Sequence, residues 1–421
     1  MMNAGQSRPS LMIFYQFDPW RSSIGGIQTV IRNFLKYAPA SFEVGMVGTG
    51  APGDLLGQWQ TRFYGTTPVQ YCPIIALEND DVRGRIPTTL KYTAALRRYP
   101  MAADFFHFHR LEPSLVTRRW QGEKTWFVHN DVEKQLNPRL SPNAILWQML
   151  PQAYLWLERW LVPQFDYLYS CNLSAAQFYR RRFPALAPRI HQIYNSVDTE
   201  IFYPLEGTQA DQQRQALAQS LGLSSQTQFL LFAGRLHPQK DPLRLLQAMA
   251  RLHRPQTHLL MAGEGELLAQ VSDQIQILGL EAQVTLLGRV SQDRLAQLQR
   301  VSQIFVLSSA YEGLPIAALE ALASGTPVVT TDAGDTPRLL TAACGRVCLD
   351  RSPEAIAQAL QDVLDHSTTF SVAACLEAVQ PYTARSVVAQ VYQQMWDRWI
   401  SRRTLGAREG SLKKGDQGAG R

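Results

Sequence analysis

Two acids, Glu312 and Glu320, flank the start of a predicted helix within residues 303–334. The apolar run Ile304–Leu307 predicts a buried strand, and Pro315 suits the first turn of a helix. A second apolar run, residues 327–331, follows the helix directly and predicts another strand. Strand, turn, helix and strand in this order predict a parallel α/β sheet with a helix N-terminus at its carboxyl edge.

The start of that helix is suited to binding an anion, because its first N–H groups are unpaired and its dipole is positive there. Two carboxylates beside a phosphate would repel it unless they contact something else. Glu320 lies about five residues into the helix, or roughly 7–8 Å along its axis. A diphosphate at the helix start would then have a sugar near Glu312 and a ribose near Glu320, since carboxylates accept hydrogen bonds from hydroxyl pairs. From the spacing alone, a surface helix with two solvated acids is an equal alternative.

Residues 309–329 fit the pattern S-x-x-E-G-L-P-x-x-x-L-E-A-x-A-x-G-x-P-V-V. This pattern resembles the donor-binding signature of retaining glycosyltransferases of family 4, which have the GT-B fold. The resemblance implies two Rossmann-like α/β domains that face each other across a cleft. Residues 1–199 would form an acceptor-side domain and residues 200–380 a nucleotide-sugar donor domain, with a helix over 381–400 that crosses back to the first domain.

A pair of cations follows the strand predicted over residues 228–234. Arg235 and Lys240 lie five residues apart in one loop, a spacing that suits a pyrophosphate because arginine binds as a fork and lysine as a mobile charge. Two ordinary surface cations are the alternative. The segment resembles the family's G-R-L-x-x-x-K-G, with Asp241 in place of the second glycine. The resemblance also implies donor contacts at Gly313, Leu314 and Pro315, and it places Val290 in the loop beneath the nucleobase.

The first half of the chain opens with a strand predicted over residues 11–17, then Gly25 and Gly26, then a helix over 27–37. In the resembled family the paired glycine lets the backbone approach the donor, through close contact and freedom at positive φ; a tight turn alone is the alternative. His129 ends a strand predicted over 124–129, and carboxyl ends of parallel strands are where α/β sites form. The family carries a histidine here near the reacting sugar, so we expect His129 in the cleft rather than as a structural histidine.

His107 and His109 alternate onto one strand face and are expected to be partly buried structural residues, with contact between one of them and the acceptor as the alternative. Residues 194–198 resemble the family's N-G-V-D, with Ser196 replacing glycine, and the linker is predicted over 198–206.

Residues 143–162 predict a long helix with a bend near Pro151 and three tryptophans. For this helix a core position is favoured over a membrane surface.

Length and composition indicate the number of domains and the cellular compartment. The length of 421 residues suggests two or three domains, and five cysteines without metal-ligand spacing predict free thiols in a reducing compartment. No run is long and apolar enough to span a membrane, and the polar N-terminus does not resemble a signal peptide. We therefore expect a cytoplasmic protein, with peripheral attachment to the inner face of the membrane as an alternative.

The charge is unevenly distributed along the chain. Residues 1–199 carry a net charge of +7, residues 200–400 carry −5 and residues 401–421 carry +4. The basic first half favours an anionic partner, such as a phosphate-bearing acceptor or an anionic membrane surface, although a solvated basic face fits equally. The last segment, 401–421, predicts a disordered basic tail. No nucleic-acid motif is present, so a nucleic-acid partner is not expected.

The resemblance completes the interpretation. It implies retaining transfer of a sugar from a nucleotide-diphosphate donor to a hydroxyl of a sugar or lipid-linked acceptor, in polysaccharide, glycolipid or other glycoconjugate synthesis. His129 and Glu312 would be the catalytic residues, and no metal or other cofactor is expected. The alternatives are a GT-B phosphorylase, a nucleotide-sugar epimerase, and a non-catalytic protein that binds nucleotide sugars.

Overall fold

A computed structural model describes residues 8–21, 25–78, 87–129 and 151–416. The first of its two sheets has eight strands in the order β3-β4-β2-β1-β5-β6-β7-β8, and only β3 runs antiparallel to its neighbour. The strands of this sheet are β1 Ser10–Phe14, β2 Glu43–Gly50, β3 Gln60–Tyr64, β4 Thr67–Ala76, β5 Phe105–Phe108, β6 Glu123–Val128, β7 Tyr167–Ser170 and β8 Ile190–Gln192.

The second sheet has six parallel strands in the order β11-β10-β9-β12-β13-β14. Counted from its own first strand, this is the order 3-2-1-4-5-6 of a doubly wound Rossmann sheet. The predicted α/β architecture is therefore confirmed. The strands are β9 Gln228–Ala233, β10 Thr257–Ala262, β11 Val284–Gly288, β12 Ile304–Leu307, β13 Val328–Thr331 and β14 Gly345–Cys348.

Helices cover both faces of each sheet, as the wholly buried residues of β9, β12 and β13 require. In chain order, the α-helices of the described residues are α1 Gly26–Lys36, α2 Thr88–Leu96, α3 Pro151–Leu161, α4 Leu173–Arg182, α5 Gln209–Ser220, α6 Pro242–Leu252, α7 Leu268–Ile277, α8 Gln292–Val301, α9 Ile316–Ala323, α10 Thr336–Leu339, α11 Pro353–Asp365, α12 Val372–Val379 and α13 Ala384–Asp416. Short 3-10 turns occur in several of the connections, for example Glu112–Val116 between β5 and β6. Each of these helices is too short or too polar to cross a membrane.

The last helix, α13, packs on the first sheet. Tyr392 and Met395 lie in the same apolar cluster as Leu11 and Phe34, which belong to β1 and α1. This confirms the crossing helix expected over 381–400. The helix also continues to Asp416, where the sequence predicted a disordered tail from residue 401; residues 417–421 lie outside the described residues.

A buried acid explains the start of that extension. The carboxylate of Glu123 is 5% exposed, and it accepts hydrogen bonds from the guanidinium groups of Arg398, at 2.7 to 3.1 Å, and Arg402, at 2.8 Å. Arg398 and Arg402 are four residues apart and therefore on one helix face. The first basic residue of the predicted tail, Arg402, is thus a half-exposed side chain that pairs with a buried acid of the first sheet.

The tryptophan-rich helix differs from its prediction. Its described part is α3, in which Trp156 is 68% exposed and Trp160 is 47% exposed, whereas Glu158 and Leu161 are buried. The core position favoured for this helix is wrong for this part, because only a narrow stripe of α3 faces the domain interior. Trp147 and the other residues of 143–150 lie outside the described residues.

The connection between the sheets agrees with the predicted linker in position. β8 ends at Gln192 and β9 begins at Gln228, so each predicted domain contains one sheet. Ser196 has no positive φ and accepts a hydrogen bond from Asn33 Nδ2 at 3.2 Å, so the strain associated with the family's glycine is absent. The domain limits at 199 and 380 stay predictions.

Candidate functional site

The second sheet brings the predicted donor residues together at its topological switch point. Strands β9 and β12 are hydrogen-bonded neighbours, and their outgoing connections lead to opposite sides of the sheet. The loop after β9 carries Arg235 and Lys240, and the loop after β12 carries Glu312 and leads into α9. In open α/β sheets ligands bind in the crevice at this point.

Lys240 and Glu312 form an ion pair across these two loops. Lys240 Nζ lies 2.5 Å from Glu312 Oε1, and the Ser309 hydroxyl donates to the same oxygen at 2.6 Å. Both charged side chains are largely removed from solvent, with 17% of the lysine and 5% of the glutamate side chain exposed. The pair holds Glu312 in one position and neutralises much of its charge.

Glu320 has a different environment. It is 4% exposed on α9, and none of the described residues forms a hydrogen bond or ion pair with its carboxyl group. Burial raises the pKa of Glu320 to about 8, because the charged form loses its hydration without gaining a partner. A buried carboxyl group without a partner is costly to stability and is typical of a ligand-binding position.

The start of α9 has no side-chain cap. Pro315 is the N-cap residue, so the first N–H groups of the helix receive no side-chain acceptor. Asn195 Nδ2 donates to the Leu314 carbonyl at 2.7 Å and ties this turn to the segment between the sheets. A Cβ on Gly313 would lie 3.8 Å from Asn172, the N-cap of α4 in the first domain. The predicted donor residues Gly313, Leu314 and Pro315 therefore lie at an uncapped helix start that faces the first domain.

The paired glycine reaches the same place from the first domain. A Cβ on Gly26 would lie 3.8 Å from Ile316 Cδ1, at the start of α9. Close approach is thus observed, but the predicted freedom at positive φ is not used, because neither glycine is left-handed and Gly25 has an extended φ of −156°. A donor diphosphate at α9 would lie beside this backbone.

Arg235 remains available on the rim. It is exposed, and no described residue forms an ion pair or hydrogen bond with its guanidinium group. The neighbouring His237 accepts a hydrogen bond at Nδ1 from the Gln239 N–H at 3.1 Å. Burial and the charge of Arg235 lower the pKa of His237, so its imidazole is neutral near pH 7. The loop consequently holds one paired and one unpaired cation.

Asp241 adopts the conformation that glycine favours. Its φ of 47° and ψ of 55° are left-handed, which explains why the resembled motif has glycine here. Its Oδ2 accepts hydrogen bonds from Arg244 Nε at 2.7 Å and from Arg351 Nη2 at 2.9 Å. The aspartate therefore keeps the turn and adds two ion pairs that glycine could not make.

The strand-end loops lie too close together for a side chain at one more position. Gly263, which follows β10, has a φ of +144°, and a Cβ on it would lie 1.9 Å from the Gly234 carbonyl oxygen after β9. Val290, which follows β11, packs partly buried against the core, and Arg289 Nη2 lies 3.5 Å from Glu264. The nucleobase role of this loop stays a prediction.

His129 follows β6 at the carboxyl edge of the first sheet, as predicted. Its Nε2 lies 2.8 Å from His109 Nδ1, and the rings stack with centroids 5.1 Å apart. Burial, assisted by Arg110, lowers the pKa of His129 to about 3, so the imidazole is neutral near pH 7. His129 also lines a small cavity with Asn195 and with Val387 of α13, beside the connection between the domains.

The two histidines predicted near the end of β5 lie in the interior of the first domain. His107 and His109 are 1% and 2% exposed, so both are fully buried structural residues rather than partly buried ones. Sequence reasoning missed the supporting roles of Ser309 and Asn195. The signal for Ser309 was its place three residues before Glu312 in the motif, whereas the bond from Asn195 spans 119 residues and leaves no local pattern.

Two family models match the chain in succession. One is described as Glycosyltransferase Family 4 and matches residues 24–201, and the other is described as Glycosyl transferases group 1 and matches residues 213–372. They divide the chain at the segment between the two sheets. Together they cover most of the described structure, including the loops after β9 and β12.

Individual relatives agree with the models. A D-inositol 3-phosphate glycosyltransferase of Jonesia denitrificans is 28% identical over 314 residues, which is 69% of this chain and 71% of that one. One of the same description from Mycolicibacterium gilvum is 30% identical over 217 residues, 47% of each chain. The chain spans less than half the length of the first curated relatives that it matches.

Solved structures share the fold. A sucrose-phosphate synthase from Thermosynechococcus elongatus superimposes with a TM-score of 0.74 at 19% identity, over 94% of this chain and 100% of that one. HepE of Anabaena, crystallised with UDP and glucose, gives 0.68 at 16% identity over 93% and 100%. The sheet order, the switch-point loops and both family models agree: the chain belongs to glycosyltransferase family 4 and has the GT-B fold.

Proposed function

We propose that this protein is a retaining glycosyltransferase that moves a sugar from a nucleotide-diphosphate donor to a hydroxyl of a sugar or lipid-linked acceptor. The observation that carries the proposal is the group of charges at the switch point of the second sheet. Around an uncapped helix start lie a lysine–glutamate pair, and an arginine and a buried carboxyl group that have no partner among the described residues. The Anabaena neighbour was crystallised with UDP and glucose, which supports a donor of this class.

The diphosphate would lie at the start of α9. Its developing charge on departure would be balanced by Arg235, by Lys240 and by the N–H groups of the first helical turn, with no metal required by this arrangement. Val290 would contact the nucleobase and Glu320 the ribose hydroxyls. Gly25 and Gly26 would bring the first domain's backbone alongside the phosphates.

The sugar would lie between Glu312 and His129. Glu312 would orient its hydroxyls, since a carboxylate held by Lys240 and Ser309 still has acceptor capacity on its second oxygen. His129, neutral because of its lowered pKa, would support the sugar from the first domain by hydrogen bonding rather than by charge. A family-4 role in polysaccharide, glycolipid or other glycoconjugate synthesis follows as the setting of this reaction.

The first test is a thermal-shift screen of the full chain against UDP, GDP and ADP, followed by donor turnover with the matching nucleotide sugars. A ligand at 100 times its Kd stabilises the folded state by about 2.7 kcal/mol, which such a screen detects. Retention is read by NMR from the anomeric configuration of the first product formed. No response to any of the three nucleotides would contradict the donor assignment.

Two variants separate binding from transfer. Lys240→Met should weaken nucleotide-diphosphate binding at least tenfold, because it removes a cation and leaves Glu312 charged and unpaired beside the phosphates. Glu312→Gln should leave that binding unchanged or tighter, because Lys240 is freed, yet it should lower sugar transfer strongly. Glu281→Gln, an exposed glutamate of the same domain, is the matched control. Equal effects of both variants on nucleotide affinity would refute these roles.

A further inference from the structure

A cavity of about 320 Å³ lies in the first domain at the edge of the sheet opposite the cleft. Its lining comes from the connection between β5 and β6, from the start of β6 and from the turn between α3 and β7. Lys124 lies near the start of β6 and His129 directly after its end. Five steps of about 3.3 Å along the strand separate them by roughly 16 Å, so this cavity is distinct from the proposed active site.

A buried cation lines the cavity. Lys124 is 6% exposed, and its ammonium group donates to the Arg118 carbonyl at 3.1 Å. No carboxylate of the described residues lies within ion-pair distance of it, and Asp166 instead accepts a hydrogen bond from the backbone N–H of Lys124 at 2.8 Å. A buried ammonium group normally has a counter-ion, because its desolvation is costly. The missing partner points to an external anion.

A second cation and an aromatic ring lie beside it. The exposed Arg118 guanidinium group has no carboxylate partner among the described residues, and it lies 5.8 Å from the centroid of the Trp160 ring. Trp160 also lines the cavity and is 47% exposed. Two cations and one aromatic face thus border the same space, and none of its described lining residues is acidic.

An unsatisfied acceptor completes the lining. Gln164 Nε2 donates to the Ser114 hydroxyl at 2.8 Å, whereas Gln164 Oε1 is buried and has no hydrogen-bond partner. A buried amide oxygen without a donor carries a desolvation penalty, and rotation of the half-buried Gln164 side chain toward the cavity would let a ligand hydroxyl remove it. The cavity therefore offers charge for an anion, an acceptor for a hydroxyl and a flat apolar face for a ring.

We propose that this cavity is an accessory binding site for an anionic saccharide unit. The phosphate or carboxylate of the ligand pairs with Lys124 and Arg118, a ring hydroxyl donates to Gln164 Oε1, and the sugar ring lies against Trp160. The volume is at the lower end of small-molecule pockets, about 300–1,000 Å³, and suits one or two sugar rings. The ligand is either a free sugar phosphate or a charged unit of a longer glycan.

Calorimetric titration of the full chain tests the proposal. UDP is present in saturating amounts, so that the proposed donor site is occupied and binding elsewhere is measured. Glucose 6-phosphate and glucuronic acid should bind, and glucose and inorganic phosphate should bind at least tenfold more weakly. A tetramer of uronic acid that binds at least tenfold more tightly than the monomer identifies a glycan as the source. Equal or weaker binding of the tetramer identifies the free sugar acid or phosphate.

Variants locate the binding. Lys124→Met should weaken it at least tenfold, and Arg118→Gln, an exposed change that should leave folding intact, should weaken it severalfold. Arg181→Gln, which alters an exposed arginine on α4, should leave it unchanged. The proposal fails if the two cavity variants bind like the unaltered chain, or if inorganic phosphate binds as tightly as glucose 6-phosphate. It also fails if Trp160→Ala abolishes binding to vesicles of anionic lipid and leaves saccharide binding unchanged.

Discussion

The buried carboxyl group of Glu320 makes a quantitative prediction about pH. Burial raises its pKa to about 8 in the folded protein from an ordinary 4.5, so between these values the folded state retains a proton that the unfolded state has released. The contribution of Glu320 to the free energy of unfolding therefore falls as the pH rises through this window. At about 1.36 kcal/mol per pKa unit, the fall between pH 5 and pH 9 is about 4 kcal/mol.

Glu320→Gln removes this titration while it keeps the shape of the side chain. The variant should equal the unaltered chain in stability near pH 5 and exceed it by up to about 4 kcal/mol at pH 9. For a domain of 150–250 residues this is a rise in Tm of roughly 10 °C, or about 2–4 °C per kcal/mol. Groups that titrate in both proteins cancel in the difference between them.

Scanning calorimetry at unit steps from pH 5 to pH 9 measures the effect, with Glu281→Gln as the exposed control. A difference between Glu320→Gln and the unaltered chain that stays constant with pH would refute the assignment of a raised pKa. Nucleotide binding gives a second reading that depends on the proposed function. Ribose hydroxyls favour the ionised carboxylate, so UDP affinity should rise from pH 7 to pH 9 in the unaltered chain and stay flat in Glu320→Gln.

Two further predictions concern stability alone and are measured by urea denaturation. Asp241→Gly should change the free energy of unfolding by less than about 1 kcal/mol, because relief of the left-handed φ offsets the lost ion pairs. Asp241→Ala loses the same ion pairs and keeps the backbone strain, so it should cost about 2 kcal/mol. Equal stability of the two variants would contradict the strain argument. Glu123→Gln should cost about 3 kcal/mol, because it breaks a buried pair with Arg398. Glu200→Gln should cost less than about 1 kcal/mol, because the carboxylate that pairs with Lys36 and Arg385 is 52% exposed. A small loss in Glu123→Gln would show that α13 is held by its apolar face alone.

Local patterns predicted the strands of the second sheet well. Ile304–Leu307 was predicted with the bounds that the structure shows, and the run beginning at Gln228 ends within one residue of its predicted limit. These strands are buried on both faces, so their sequences are continuous apolar runs that differ clearly from the loops. Arg235 and Glu312 were proposed as site residues because each lies in the loop after such a run, whereas Glu320 was proposed from its place on the following helix.

Features that depend on distant contacts could not be predicted in this way. The hairpin of β3 and β4 was missed because β3 alternates half-buried and exposed residues at a sheet edge, without an apolar run. The helix beyond residue 400 was missed because Arg402 binds Glu123, which is 279 residues away in the chain. The pairing of Lys240 with Glu312 joins loops 72 residues apart, and no spacing within either loop indicates it.

That pairing resolves the electrostatic difficulty of two acids beside a phosphate site. Glu312 is neutralised by Lys240 in the free protein, and the raised pKa of Glu320 keeps its carboxyl group protonated at neutral pH. The helix start would therefore present to the proposed diphosphate one cation, Arg235, that has no partner among the described residues. The proposed donor would then gain affinity from Arg235 and from the helix dipole without first overcoming two carboxylates. Under the proposed function the acids would contact the sugar and the ribose. The charge of the diphosphate would be balanced by Arg235 and the helix dipole, with Lys240 shared between Glu312 and the phosphates.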